Sequence, residues 1–343
     1  MATRMEGTTM RTLCTALLAF TALGGLVARA EAADTMRLEW VMQGQFAGPI
    51  VALHNGWYQD AGIELELLPA GPDIKPAVTV AQGTDQFGIG HPHQVIAARA
   101  NEAPLVMVLQ VGQRSSTTYV AKAESGIREL ADVRGKKVGL WFGGDEYEFQ
   151  AMLAKAGIPQ EDVTLVSQGF DIVGWLEGQY DVMQVTPFNE LLLVQDAGFT
   201  GDKLVVIPPE RYGAALVSAG VFTTEAMIAD HPEKVQAVVD ATMRGWQAAI
   251  ADPKAAAEIV VQYNSELDVP FQVRQIEAMR DIICYGPTLA GEFGKTDPAI
   301  WETSQSIMLG AKVIEQPIDL ARGFTNAFWE KAPAEYRKVA CAG

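Results

Sequence analysis

The chain has 343 residues, of which 49% are hydrophobic and 20% charged, with a formal net charge of −16 and three cysteines. So acidic a surface disfavours nucleic acid and anionic membranes as partners, and no low-complexity stretch argues for disorder. About three hundred residues follow the N-terminal segment described next, enough for two lobes with well-buried cores.

Arg11 precedes an apolar run from Leu13 to Val27, and small residues follow at Ala28, Ala30, Ala32 and Ala33. A charged start, an apolar centre and A-x-A cleavage options make residues 1–32 a signal peptide, expected to be removed on export to the periplasm. The run is short, and rich in Gly and Thr, for a bilayer span. Met10 offers a more ordinary start than Met1, and Cys14 stands at the front of the run, where it does not mark a lipid-modified N-terminus. No later stretch is long and apolar enough to insert in a membrane.

Leu38–Met42 is a short run of strand-type residues. Gly44 and Gly48 then let the backbone approach a partner closely, and Pro49 suits a first helical turn. Ile50, Leu53, His54 and Trp57 recur at helical spacing. Gly62 can close that helix in the left-handed conformation, after which Ile63, Leu65 and Leu67 alternate with acidic residues as a strand. A strand that ends in a glycine loop at a helix start is where open α/β sheets bind small ligands. Next come Gly90 to Gln94, a helix to about Ala103 and a strand over Leu105–Val111.

The same unit then returns: a strand over Lys136–Trp141, a turn at Phe142, Gly143 and Gly144, and a helix from Asp145 to Ala156 ended by Gly157. The two segments share no obvious identity, so the echo is architectural. Strands over Val163–Val166, Gln179–Thr186 and Leu204–Ile207 alternate with helices over Asp171–Glu177 and Asn189–Ala197. From Thr223 the pattern is helical: Pro232–Ala251, Pro253–Tyr263, Pro270–Ile283, Pro298–Val313 and Leu320–Lys331. Thr224, Asp230, Asp252, Asp268 and Asp297 are placed as their caps. The alternation predicts an α/β protein. A second lobe is entered near Thr117–Lys122 and left near Ala214–Val221, and these extended segments are expected to pair as a two-strand hinge. Lobe I then comprises 33–118 and 219–343, and lobe II 119–218.

Cys284 and Cys341 can form one disulfide tying the C-terminal tail to the body, or be two unrelated thiols. The liability of a lone exposed thiol outside the cytoplasm favours the bridge.

Candidate site residues cluster at strand ends and loops. Trp40, Phe46, Trp141, Phe142, Phe188 and Tyr212 suit the stacking of a flat ligand, whereas Trp57, Trp246, Trp301 and Trp329 sit mid-helix and read as core. Gly48, Gly143 and Gly144 bring backbone to the cleft. A helix N-terminus behind Gly143 and Gly144 normally attracts anions, but here it opens with Asp145, Glu146 and Glu148. Asp145 and Glu148 resemble a capping pair, which leaves Glu146 to face the cleft and accept hydrogen bonds from ring N–H or amino groups. Asn189 can read a heterocycle edge with a donor and an acceptor, as can Gln43 and Gln45. Glu190 is either a further cleft residue or a first-turn helix acid. His91 and His93 lie two apart on an extended segment with no further ligand at metal spacing. His91 is therefore expected to hydrogen-bond ligand or backbone, and His54 to pack on its helix.

Several of these stretches resemble the NMT1/THI5-like branch of periplasmic solute-binding proteins of ABC importers, within the nitrate/sulfonate/taurine class. They are Ala52 to Tyr58 with Gly62 and Ile63, Gly135 to Glu146, Tyr180 to Met183, Phe188 to Glu190, and Arg244 to Trp246 with Asp252, Pro253 and Ala255. The likeness spans nearly the whole mature chain. It implies a type II binding-protein fold, two lobes each with a mixed sheet flanked by helices, closing over one ligand and delivering it to a permease and ATPase. It also implies a monomer without a cofactor, and a pyrimidine precursor of thiamine, riboflavin or a related heterocycle as ligand. Nitrate, a sulfonate or taurine is the alternative within the class. Related eukaryotic enzymes make the thiamine pyrimidine with a cysteine-rich iron motif, a reactive histidine and a lysine-bound cofactor. This chain has no cysteine cluster, so a binding protein rather than an enzyme is expected.

Overall fold

The computed structural model describes residues 33–341. The expected signal at 1–32 lies outside the described residues. Among the described residues, ten strands form two five-stranded sheets. The first holds β1 (Asp34–Arg37), β2 (Leu65–Leu68), β3 (Phe87–Gly90), β4 (Leu105–Leu109) and, from much later in the chain, β10 (Gly220–Thr224). The second holds β5 (Thr118–Lys122), β6 (Lys137–Leu140), β7 (Thr164–Ser167), β8 (Val182–Val185) and β9 (Leu204–Ile207). Strand orders are β2-β1-β3-β10-β4 and β7-β6-β8-β5-β9. In each sheet the strand nearest the crossover, β10 or β5, is inserted antiparallel between the third and fourth of the others. The echo in the sequence is thus a shared topology. Both sheets are mixed and carry helices, as expected of a two-lobe α/β chain.

The chain leaves the first sheet after β4 and returns before β10. The two crossing segments touch through Gly112 N–H to Ala219 O at 3.0 Å, Ser218 N–H to Arg114 O at 2.9 Å and an antiparallel bridge between Ser115 and Val217. The pairing therefore falls a few residues before the expected 117–122. Residues 118–122 are β5, whose edges are taken by β8 and β9.

The first strand is also displaced from expectation. It is Asp34–Arg37 rather than Leu38–Met42, because Met36 is the residue in register with Leu67 and Phe87. Its end is fixed by Arg37, paired with the buried Asp85 at 2.9 Å. Residues 38–42 instead run as the loop above the sheet.

Apolar spacing explains the packing. The helix Pro232–Ala251 buries Val235, Val238, Val239, Met243 and Trp246 against the helix Ala47–His54. The approach is so close that a Cβ at Gly245 would stand 2.0 Å from Gly48 O. Thr224, Asp252, Asp268 and Asp297 each accept a backbone N–H at a helix start, as placed from sequence. Asp230 does not: His231 takes the cap position before Pro232. The expected helix over Leu320–Lys331 is broken into a short turn and Ala327–Lys331. Between them, Met107 N–H donates to Gly323 O and Thr325 N–H to Met107 O, so this stretch covers the free edge of β4. Cys284 and Cys341 are joined as a disulfide with Cα atoms 5.4 Å apart. Among the described residues no helix is long and apolar enough to cross a membrane.

Candidate functional site

A cavity of about 310 Å³ lies between the sheets, where the carboxyl ends of β1, β3, β6 and β8 face one another. Small-molecule pockets run from about 300 Å³ upward and sit at such strand ends. Of the residues proposed from sequence, Trp40, Gln43, Phe46, His91, Trp141, Phe188, Asn189 and Glu190 line it.

The aromatic wall has a component that sequence reasoning missed. Phe170, in the loop after β7, is half exposed and packs against Trp40 with centroids 4.9 Å apart. The Trp141 ring is nearly parallel to that of Phe170, 9° apart in plane at 6.1 Å between centroids. Trp141 is held firmly. Its indole N–H donates to Gly169 O at 2.9 Å, and its backbone N–H donates to Gln184 Oε1 at 2.8 Å. The buried Gln184 amide also donates to Asp145 O at 3.0 Å, so one side chain sets both the ring and the acid loop. A lone aromatic beside Gly169, just past a strand's carboxyl end, was the available signal for Phe170.

The acid loop differs from expectation. Glu146 does not face the cleft. Its Oε2 accepts the N–H of Gly143 at 3.0 Å and of Gly144 at 2.8 Å, and the residue is 9% exposed. Glu148 is no capping partner either: it is buried and accepts Leu216 N–H at 2.7 Å beside the crossing segments. Asp145 makes no side-chain cap bond and instead lines the cavity, with much of its surface open to it. The physical reason is the backbone at Gly143 and Gly144, with φ of 110° and 140°. It aims both N–H groups at the second acid of the run, not the first. Gly143 and Gly144 therefore present their donors inward to Glu146, not to the cavity.

Two other proposed residues lie elsewhere. Gly48 packs under Trp246, where a Cβ would come within 2.4 Å of the indole. Trp246 itself is both core and cavity lining. Tyr212 belongs to the core of the second sheet, and its hydroxyl accepts Leu130 N–H at 3.1 Å.

The polar floor centres on His91, the extended cap residue of the helix Pro92–Ala100; His93 lies within that helix, so the two do not share the expected extended segment. Its Nδ1 meets Val217 O at 3.1 Å and its Nε2 meets Glu39 Oε1 at 3.3 Å. Burial works against a charge on His91, but Glu39, Asp145 and the Val217 carbonyl outweigh it and raise the pKa to about 9. Burial likewise opposes the Glu39 charge, and His91 with the Gln94 amide holds that carboxyl below its usual range. The pair is thus an ion pair at neutral pH. His93 is buried without a hydrogen-bond partner, and burial together with the charge on His91 keeps it neutral. Lys75 lines the cavity from the lobe of the first sheet. Glu39 and Lys75 went unnoticed because neither belongs to a periodic pattern. His54 sits on its helix, edge-on to Tyr263.

Asn189 is engaged at both ends, donating to Glu190 Oε1 at 2.7 Å and accepting from Gln275 Nε2 at 3.1 Å. Glu190 also accepts from Thr186 N at 2.9 Å and Oγ1 at 2.6 Å. The Gln275 contact, together with Arg274 to Asp196 at 2.8 Å and Trp40 on Phe170, ties the two sheets' lobes across the cleft. Gln43 and Gln45 bond to each other at the cavity edge.

A family profile described as NMT1/THI5 like matches residues 43–256. The chain belongs to this family. Among curated relatives, the riboflavin-binding protein RibY of Chloroflexus aurantiacus is 25% identical over 86% of this chain and 85% of its own. The formylaminopyrimidine-binding protein of Halalkalibacterium halodurans is 24% identical over 86% and 91%. A 4-amino-5-hydroxymethyl-2-methylpyrimidine phosphate synthase of Legionella pneumophila is 23% identical over 90% and 96%. Among solved structures, the periplasmic aliphatic sulphonate binding protein SsuA of Escherichia coli superposes with a TM-score of 0.64 at 15% identity, covering 85% of this chain and 92% of that one. The NMT1/THI5-like chain thus has the two-lobe fold of periplasmic binding proteins.

Proposed function

We propose that this NMT1/THI5-like chain is the exported receptor of an ABC importer, capturing a flat nitrogen heterocycle of the pyrimidine or riboflavin kind and delivering it to a permease. The observation that carries this reading is the carboxylate of Glu146 on the N–H groups of Gly143 and Gly144. Those donors, at a helix N-terminus, are where a small anion would be held. With the chain's own anion seated there, nitrate or a sulfonate loses that position. The remaining cavity offers Trp40, Trp141 and Phe170 for stacking and Asp145 and Glu39 for ring N–H or amino groups. Stacked aromatics with a few placed polar groups suit a heterocycle.

Capture proceeds by closure of one lobe, 33–118 with 219–343, onto the other, 119–218. The ligand touches both only when they are closed, so its differential affinity sets the closed population. Periplasmic location accords with the Cys284–Cys341 bridge, since disulfides persist in oxidising compartments. The same bridge supports a receptor over a synthase, because among the described residues it leaves no free thiol for an iron motif.

The test is mass spectrometry of whatever co-purifies with the exported protein, with a thermal-shift panel of pyrimidines, flavins, taurine and nitrate. A pyrimidine or flavin should co-purify or raise the melting temperature. A response to a small inorganic anion alone would overturn the reading.

A further inference from the structure

Of five carboxylates in or near the acid loop and the cavity, four have their partners inside the protein. Glu146 accepts from Gly143 and Gly144, Glu148 from Leu216, Glu190 from Thr186 and Asn189, and Glu39 from Gln94 and His91. The fifth, Asp145, accepts no side-chain hydrogen bond among the described residues, yet it is fixed in place and opens onto the cavity. Its carbonyl and the Trp141 N–H are held by the same buried Gln184 amide. Face and edge recognition are therefore set by one support: the Trp141 ring for a ligand's plane, the Asp145 carboxyl for its rim.

A carboxyl group offers two acceptor oxygens when ionised and a donor with an acceptor when protonated. The environment keeps both forms within reach. Desolvation by the surrounding cavity walls, with Glu39 and Glu146, favours the protonated form, while His91 and Lys75 favour the ionised one; the pKa is raised to about 6. Tyr119 and Glu148 lie behind the loop. The neutral His93 lies beneath Gly144, its Nε2 3.9 Å from where a Cβ there would stand.

We propose that Asp145 is the specificity-determining residue of the cleft, reading an amidine-type edge (a ring nitrogen beside an exocyclic amino group) through a two-point pair that shares one proton. This rests on the heterocycle reading above and goes beyond it by choosing among heterocycles. One carboxyl oxygen accepts from the amino group; the shared proton lies between the other oxygen and the ring nitrogen. Above about pH 7 that proton comes from solvent, so binding takes it up and affinity falls as pH rises.

The test uses the mature protein with 4-amino-2-methylpyrimidine, its 4-oxo counterpart and riboflavin, titrated calorimetrically at pH 8 in buffers of different ionisation enthalpy. Wild type should take up about one proton on binding the amino compound and bind the oxo compound roughly tenfold to hundredfold more weakly, because only the basic ring nitrogen of the amino compound can share that proton as a charge-assisted pair, whereas the lactam nitrogen already carries a hydrogen of its own. Asp145→Ala should lose a similar factor. Asp145→Asn, whose amide also presents a donor and an acceptor, should keep affinity to within about tenfold yet bind without proton uptake. A purely structural role for Asp145 would not separate proton uptake from affinity in this way. If Asp145→Ala binds like wild type, or the oxo compound or riboflavin binds as well as the amino compound, the inference fails and the heterocycle reading stands. If no heterocycle binds and ethanesulfonate does, both fail.

Discussion

Replacing Glu146 by Ala separates the chain's own anion from the site that holds it. The carboxylate accepts two backbone N–H groups, at 3.0 Å from Gly143 and 2.8 Å from Gly144. Gly143 is exposed and can turn to water, whereas Gly144 is buried and is left unsatisfied. Hydrogen bonds to charged groups contribute about 1.5–3 kcal/mol, and a buried orphan donor costs about 1–3 kcal/mol. The substitution should therefore cost about 2–4 kcal/mol, or roughly 4–8 °C in melting temperature at this chain size. Two free N–H groups at a helix N-terminus should then admit an external anion. Thermal unfolding followed by circular dichroism, with increasing ethanesulfonate, reads both effects. The variant should melt low and recover as the anion fills the vacated position, while wild type should not respond. A variant that melts like wild type and ignores the anion would show that Glu146 does not occupy an anion seat.

Three further expectations concern the frame around the cleft. Glu148 has its pKa raised to about 8 by burial from an ordinary 4.5, so the folded chain holds an extra proton and stability declines as pH rises between those values. Glu148→Gln keeps an acceptor for Leu216 N–H and should lose stability less steeply between about pH 5 and 8 in urea titrations; parallel curves would contradict this. Replacing Cys284 and Cys341 by Ser opens a link between residues 57 apart and should cost about 4 kcal/mol if loop entropy governs, read from urea midpoints. An unchanged midpoint would exclude that contribution. Gly245→Ala places a methyl 2.0 Å from Gly48 O and should destabilise by more than about 3 kcal/mol or prevent folding, checked by soluble yield and melting; wild-type behaviour would refute the helix contact.

Much of the frame was legible because local signals and tertiary demands agree. Asp252 and Pro253 bound two helices at the residues expected, since the cap, the proline and the apolar spacing coincide. The first strand was misplaced because Leu38–Met42 is more strand-like than Asp34–Arg37, and only pairing with β2 and β3 reveals the true register. In the site, Trp40, His91 and Trp141 were readable as aromatics or histidines at strand ends. Which acid of Asp145, Glu146 and Glu148 turns inward depends on the positive φ angles at Gly143 and Gly144, which composition does not specify. Phe170, Glu39 and Lys75 reach the cavity from three stretches far apart in the chain, which only the tertiary fold brings together.

The most direct test of the central claim is a calorimetric titration of the mature protein at neutral pH with a pyrimidine, riboflavin and ethanesulfonate in turn. A flat heterocycle seated against the wall of Trp40, Trp141 and Phe170 predicts saturable one-to-one binding of the pyrimidine or of riboflavin, and none of ethanesulfonate. Saturable binding of ethanesulfonate, with neither heterocycle bound, would contradict it.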